Sequence, residues 1–290
     1  MLAITGITGQ VGGQLANELL AAGCRIRAVL RDEAKASAWR ERGCEIALAS
    51  MDDAASLGAA FSGAEAAFVL LPPIFDPHPG FPEARRHVAA LVEALSLARP
   101  QRVVCLSTIG AQARQENLLT QLQILERSLA ELRVPVAFLR AAWFIENVAW
   151  DIEGARSTGL MPSFLQPLDK PVPMVATADV ARRAAQLLRE SWHGQRIVEL
   201  EGPRRITPNE LAAALGQALG RDVAPQAVPR ETWEALFRAQ GMQNPLPRMR
   251  MVDGFNEGWI DFERGPSAES RQGATPLQAV LRGLLGAATA

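Results

Sequence analysis

The residues best placed to do chemistry stand near the start of the chain, in Thr5-Gly6-Ile7-Thr8-Gly9-Gln10-Val11-Gly12-Gly13. A short apolar run, Leu2-Ala3-Ile4, precedes them, and a helical pattern with Leu15, Leu19 and Leu20 follows. Gly6, Gly9 and Gly12 therefore sit where a strand turns into a helix, in a G-x-x-G-x-x-G variant of the dinucleotide fingerprint. The chemistry this suits is binding. One glycine permits the tight turn, one lets a pyrophosphate approach the backbone, and one lets the helix pack on the strand. The helix N-terminus then offers free N–H groups and a partial positive charge to phosphate. Thr5, Gly6, Thr8, Gly9, Gln10, Val11 and Gly12 form the expected cradle. A chance loop is the alternative, and the strand-turn-helix context argues against it.

Other candidates lie at the carboxyl ends of later strands, where open α/β sheets bind ligands. Arg31 ends the second strand, and Lys35 follows one turn later. An acid at that place suits the ribose 2′-hydroxyl of NAD, whereas an arginine suits the 2′-phosphate of NADP. A guanidinium forks onto phosphate oxygens and a lysine adds a point charge, so NADP(H) is favoured over NAD(H). Asp32 is the dissenting neighbour, and a solvated surface arginine is the alternative. Asp52 follows the third strand, where an acid can accept from the adenine amine; Asp53 beside it suits a helix cap. Leu71 and Pro72 end the fourth strand, and Ser107 and Thr108 end the fifth. Their hydroxyls either face nicotinamide and substrate or cap the strand end.

The elements that must position these residues alternate regularly. Strands are expected at 25–31, 45–49, 66–71, 102–107 and 135–140, with helices at 34–42, 54–61, 82–98 and 118–132 between them. Such alternation means a parallel, doubly wound sheet with right-handed crossovers. The pattern breaks after Arg140, because Pro162, Pro167, Pro171 and Pro173 crowd the next thirty residues. Thr177 suits the N-cap of a helix to about Leu188, and 196–201 reads as a strand. Thr207-Pro208-Asn209-Glu210 is a capping box opening a helix to Leu219. Thr275-Pro276 precedes a final helix, and 242–266 reads as irregular. The expected architecture is a Rossmann-type lobe from residues 1–150 and 175–202. A smaller, discontinuous substrate or partner lobe comes from 151–174 and 203–290.

Composition excludes several classes. A net charge of -1 advertises neither a nucleic-acid nor a membrane partner. No apolar run approaches the length of a membrane span. Cys24, Cys44 and Cys105 are odd in number without paired spacing, which suits buried free thiols in a reducing compartment. Without a charged segment ahead of Leu2, no signal peptide is expected, and a cytoplasmic protein is. His78, His87 and His193 are scattered, and nothing has metal-ligand spacing or the order of a nucleophile elbow.

In combination, Thr5–Gly13, Arg31, Leu106-Ser107-Thr108-Ile109-Gly110-Ala111 and Leu139-Arg140-Ala141-Ala142-Trp143-Phe144-Ile145-Glu146-Asn147 resemble the NmrA-like family, a branch of the atypical short-chain dehydrogenases/reductases. Val175-Ala176-Thr177-Ala178-Asp179-Val180-Ala181, Glu201-Gly202-Pro203 and the Thr207 capping box extend the resemblance over nearly the whole chain. It implies NAD(P) binding, and either reduction of quinones and dyes or a non-catalytic redox-sensing role with a regulatory protein partner.

Typical short-chain dehydrogenases use a tyrosine and, four residues later, a lysine. This chain contains no tyrosine, and its two lysines, Lys35 and Lys170, are far from the helix that should carry the pair. That helix reads Thr120-Gln121-Leu122-Gln123-Ile124-Leu125-Glu126. Proton delivery to an alkoxide by that pair is ruled out. Hydride transfer to a quinone-like or dye-like small molecule remains feasible, because a phenolate of pKa about 10 is protonated by water. Thr108, Gln123, Trp143, Phe144 and Asn147 are the cleft candidates, and Glu126 and Arg140 are placed to pair.

Overall fold

Every residue of Leu2-Ala3-Ile4-Thr5 is buried, as a strand covered on both faces must be. A computed structural model describes residues 1–287. Strand β1 (Leu2–Thr5) leads through the glycines to helix α1 (Gln10–Ala21), β2 (Ile26–Leu30), α2 (Ser37–Arg40), β3 (Glu45–Leu48) and α3 (Ala54–Phe61). Next come β4 (Ala66–Val69), α4 (Pro82–Ala98), β5 (Arg102–Thr108), α5 (Thr120–Leu129) and β6 (Val136–Ala141). The chain continues through β7 (Trp143–Phe144), α6 (Ile152–Thr158), β8 (Leu160–Ser163), β9 (Met174–Val175), α7 (Thr177–Arg189) and β10 (Gln195–Glu201). It closes with α8 (Pro208–Leu219), β11 (Ala224–Ala227), α9 (Trp233–Ala239), α10 (Leu246–Glu257), β12 (Ala268–Gln272) and α11 (Leu277–Ala287).

Eight strands form one parallel sheet in the order β12-β10-β6-β5-β4-β1-β2-β3. Strand order reverses between β1 and β4, the topological switch point at which such sheets bind ligands. Alternate residues feed two apolar layers. Ile4, Val104, Leu139 and Val198 join Leu15, Leu19, Val180 and Leu188 beneath α1 and α7. Val103, Cys105 and Phe138 join Phe61, Leu91, Leu95 and Leu125 beneath α3, α4 and α5. The doubly wound, Rossmann-type reading of the sequence therefore holds. Beyond the sheet, β8 pairs with β11 and β7 with β9.

Several local expectations need correction. The helix expected at 34–42 is a 3-10 turn, Glu33–Lys35, followed by the one-turn α2. Thr177 is the first helical residue of α7 and caps nothing with its side chain. Glu146 supplies the cap instead: its Oε1 accepts from the Thr177 N–H at 2.8 Å and from the Thr177 hydroxyl at 2.6 Å. A carboxylate there satisfies orphan donors and the positive end of the helix dipole. Residues 242–266 are not irregular throughout, since α10 crosses them. Pro247 is tolerated in its first turn, and Met249, Met251, Val252 and Phe255 bury its inner face. Strand β12 was not anticipated either; it is short and polar, and it extends the main sheet beside β10. The Thr207 capping box is present as read, with both reciprocal bonds formed.

Candidate functional site

At the switch point the chain turns by hydrogen-bonding the Gly9 N–H to the Gly6 carbonyl at 2.9 Å. Gly6 has φ +63°, a conformation that side-chain-bearing residues rarely adopt. A Cβ on Gly12 would lie 2.2 Å from the Gly6 carbonyl oxygen, so the first turn of α1 rests directly on the loop. A Cβ on Gly9 would meet only that same oxygen, at 3.3 Å, and would otherwise enter open space. Gly9 is also the N-cap of α1; it offers no side-chain cap, and no acid stands in the first turn. The helix N-terminus is left for an anion.

A groove of about 560 Å³ opens beside this turn. Ile7, Thr8, Gly9 and Gln10 form one end, and Gln14 and Asn17 continue along α1. Lys35, Trp39 and Arg42 also line the groove. Arg42 donates to the Asn17 side chain at 2.5 Å and lies 4.5 Å from the centre of the Trp39 ring. Arg31 and Lys35 are exposed and, among the described residues, form no ion pair. Asp32, the dissenting carboxylate, accepts from the Ala34 N–H and so caps the 3-10 turn. Sequence reasoning missed Gln14, Asn17, Trp39 and Arg42. The signal was present in Gln10, Gln14 and Asn17, polar positions about one helical turn apart along one side of α1.

Not all of the expected cradle faces the groove. The Thr5 hydroxyl is buried and donates to the Phe68 carbonyl at 3.1 Å, tying β1 to β4. Val11 belongs to the core, so its backbone alone is available. Leu71 and Pro72 are half-buried past the end of β4. Asp52 is exposed and hydrogen-bonded to Ser50, which holds its carboxyl below the usual range. Near it, His87 is half-buried with its Nδ1 sealed and unpartnered, and burial lowers its pKa.

The carboxyl end of β5 and β6 is built differently. In the sheet register Ser107 lies opposite Arg140, and Arg140 opposite Glu199. Arg140 is 5% exposed and grips Glu126 of α5 with two bonds, at 3.0 and 2.7 Å. It also donates to Glu263 at 3.0 Å and lies 3.9 Å from Glu199. Burial works against its charge, yet the bonds to Glu126 and Glu263 raise its pKa. Ser107 donates to Glu126 at 2.5 Å. Glu199 accepts the N–H groups of Glu263 and Arg264 at 2.8 and 3.1 Å. The Ser107 hydroxyl is thus spent on a buried ion network, and that network ties the 263–264 loop to the sheet. The expected Glu126–Arg140 pair is present within it.

Of the remaining cleft candidates, Thr108 is half-buried, and its hydroxyl donates to the Ile109 carbonyl at 3.1 Å. Gln123 gives both amide hydrogens to the loop, to Ala111 at 3.0 Å and Ala113 at 2.9 Å. Trp143 and Phe144 are half-buried, with the indole packed edge-on to Phe255 at 5.2 Å. Asn147 is exposed. Asp151, just beyond, has a carboxyl pushed up to about 6 by burial.

A profile of the NmrA-like family matches residues 1–269. Over 259 residues the chain is 27% identical to the NAD(P)H azoreductase of Xenophilus azovorans, covering 89% of this chain and 85% of that protein. It is also 27% identical over 251 residues to quinone oxidoreductase 2 of Escherichia coli strain K12, covering 86% and 85%. The fold matches that of the NADPH-dependent quinone oxidoreductase from Escherichia coli complexed with NADPH. The TM-score is 0.80 at 23% identity, over 98% of this chain and 100% of that one.

Proposed function

The chain belongs to the NmrA-like family, and we propose that it is an NADPH-dependent reductase of quinone-like or dye-like acceptors. The relatives support a nicotinamide cofactor and a small-molecule acceptor, being a quinone oxidoreductase and an azoreductase. The residues at the switch point fit the cofactor, since the open side of Gly9, the uncapped α1 and the groove leave it a place. Backbone N–H groups of the first turn of α1 would hold the pyrophosphate. Arg31 and Lys35, exposed and unpaired among the described residues, would hold a 2′-phosphate, which is why NADPH is favoured over NADH. Nicotinamide, when bound, supplies hydride.

One observation carries the choice of acceptor. Where a tyrosine and a lysine would deliver a proton, Ser107, Glu126, Arg140 and Glu199 bond to one another. Nothing in that cluster is free to protonate an alkoxide. An acceptor whose reduced form is stable as an anion does not need it. Trp143, Phe144 and Asn147 would then wall the acceptor side, and the protein's work is orientation and exclusion of water. A regulator that senses the NADP(H) ratio and docks a protein partner is the second reading, favoured by the same closed cluster. Steady-state NADPH oxidation with a quinone and an azo dye separates the two. Turnover supports the reductase; its absence with every acceptor, alongside tight NADPH binding, supports the regulator.

A further inference from the structure

Two of the largest apolar side chains in the molecule are held out in solvent. Trp150 is 71% exposed and Phe75 is 48% exposed. Their rings meet edge to face, 5.9 Å between centroids and 75° between planes. Phe75 comes from the loop after β4, and Trp150 from the segment after β6. Because β4 and β6 flank β5 in the sheet, the contact joins the two sides of the carboxyl edge at which Ser107 and Thr108 end β5.

The backbones beneath these rings are pinned. Asp76, next to Phe75, accepts the N–H groups of Gln243 and Asn244, each at 2.7 Å. Asn244 returns a bond to the Pro77 carbonyl at 2.9 Å, and Gln121 of α5 donates to Ile74 at 3.0 Å. Trp150 ends a 3-10 turn, Ile145–Trp150, anchored by buried Ile145 and Val148 and followed by buried Ile152. Rings carried on backbone held in this way, and in contact with each other, leave a ligand less chain entropy to overcome. Isolated exposed apolar residues are ordinary; two exposed aromatic rings in contact at the ligand-binding edge of a sheet are not.

We propose that Phe75 and Trp150 form the acceptor clamp and set its specificity toward planar, fused-ring aromatic acceptors over single-ring ones. This rests on the reductase reading above. Neither ring brings a charge to the site. The carboxylate of Asp76 is engaged with backbone, His78 is paired with Glu83, and the carboxyl of Asp151, next to Trp150, is partly buried, which raises its pKa to about 6 and disfavours its charge. Recognition therefore runs on flat apolar area, through stacking and edge contacts, so affinity grows with the size of the ring system.

The test uses the full chain, an anthraquinone sulfonate as the fused-ring probe, and benzoquinone as the single-ring one. Trp150→Ala should weaken anthraquinone sulfonate binding about tenfold by calorimetry without cofactor, as losses of aromatic stacking do. It should also lower the kcat/KM preference for the anthraquinone over benzoquinone by a similar factor. Trp150→Phe should restore most of both, and Phe75→Ala should act in the same direction. An unchanged affinity and an unchanged preference in Trp150→Ala would overturn the clamp while leaving the reductase intact. Conversely, probe binding that depends on Trp150 without turnover of any acceptor would keep the clamp and remove the reductase.

Discussion

The two ends of the candidate site are built on opposite principles. At the switch point, function is left to the backbone: a glycine in the left-handed region, a helix resting on it, an uncapped N-terminus and exposed cations without partners among the described residues. At the carboxyl ends of β5, β6 and β10, side chains do everything, and they satisfy one another with one guanidinium, three carboxylates and a hydroxyl. The first region is open to a ligand and the second is closed to chemistry. A site of this kind can hold and aim a reagent without moving protons, which is a physical basis for narrowing the acceptor.

Substitutions should separate the two ends. The largest effect on cofactor affinity is expected at Gly9, where a Cβ would enter the open side of the turn and meet only the Gly6 carbonyl. Gly9→Val should reduce NADPH affinity at least about a hundredfold, since the backbone approach is lost, while leaving the thermal midpoint near that of the parent. Calorimetry and a melting curve together check this; retained affinity would reduce the fingerprint to a loop. At the other end the balance reverses. Arg140→Met leaves Glu126 and Glu199 buried without their cation, at a cost of roughly 3–5 kcal/mol of folding stability. Urea unfolding measures it, and a loss under about 1 kcal/mol would mean the carboxylates are already compensated. The smallest effect sharpens the first region. Arg31→Ala should lower NADPH affinity about tenfold, in line with one charge-assisted contact, and leave NADH nearly untouched. Equal affinities for the two cofactors in the parent protein would remove the argument from Arg31.

The same division explains what could be read from the sequence. Backbone-driven features have short, local signatures: the glycine spacing, the alternation of strands and helices, and the capping box at Thr207 all survive in the structure. The closed network does not. Glu199 and Glu263 come from distant strands and loops, and nothing local marks a carboxylate as a partner of Arg140. Only Glu126 was accessible, because it lies on the helix that conventionally carries the catalytic pair. Ser107 shows the cost of reading a strand-end hydroxyl in isolation, as its neighbour across the layer claims it. Thr177 failed as a cap for a similar reason: Glu146, thirty-one residues away, arrives by tertiary packing. Phe75 and Trp150 are invisible to periodicity altogether, since Phe75 lies in a loop and Trp150 ends a short 3-10 turn.

The most direct test sets a quinone against a simple ketone in one preparation with saturating NADPH. Without a proton donor at the β5–β6 edge, ketone turnover should fall at least about a hundredfold below quinone turnover, the usual contribution of a general acid. Comparable rates for the two acceptors would contradict the account at its centre.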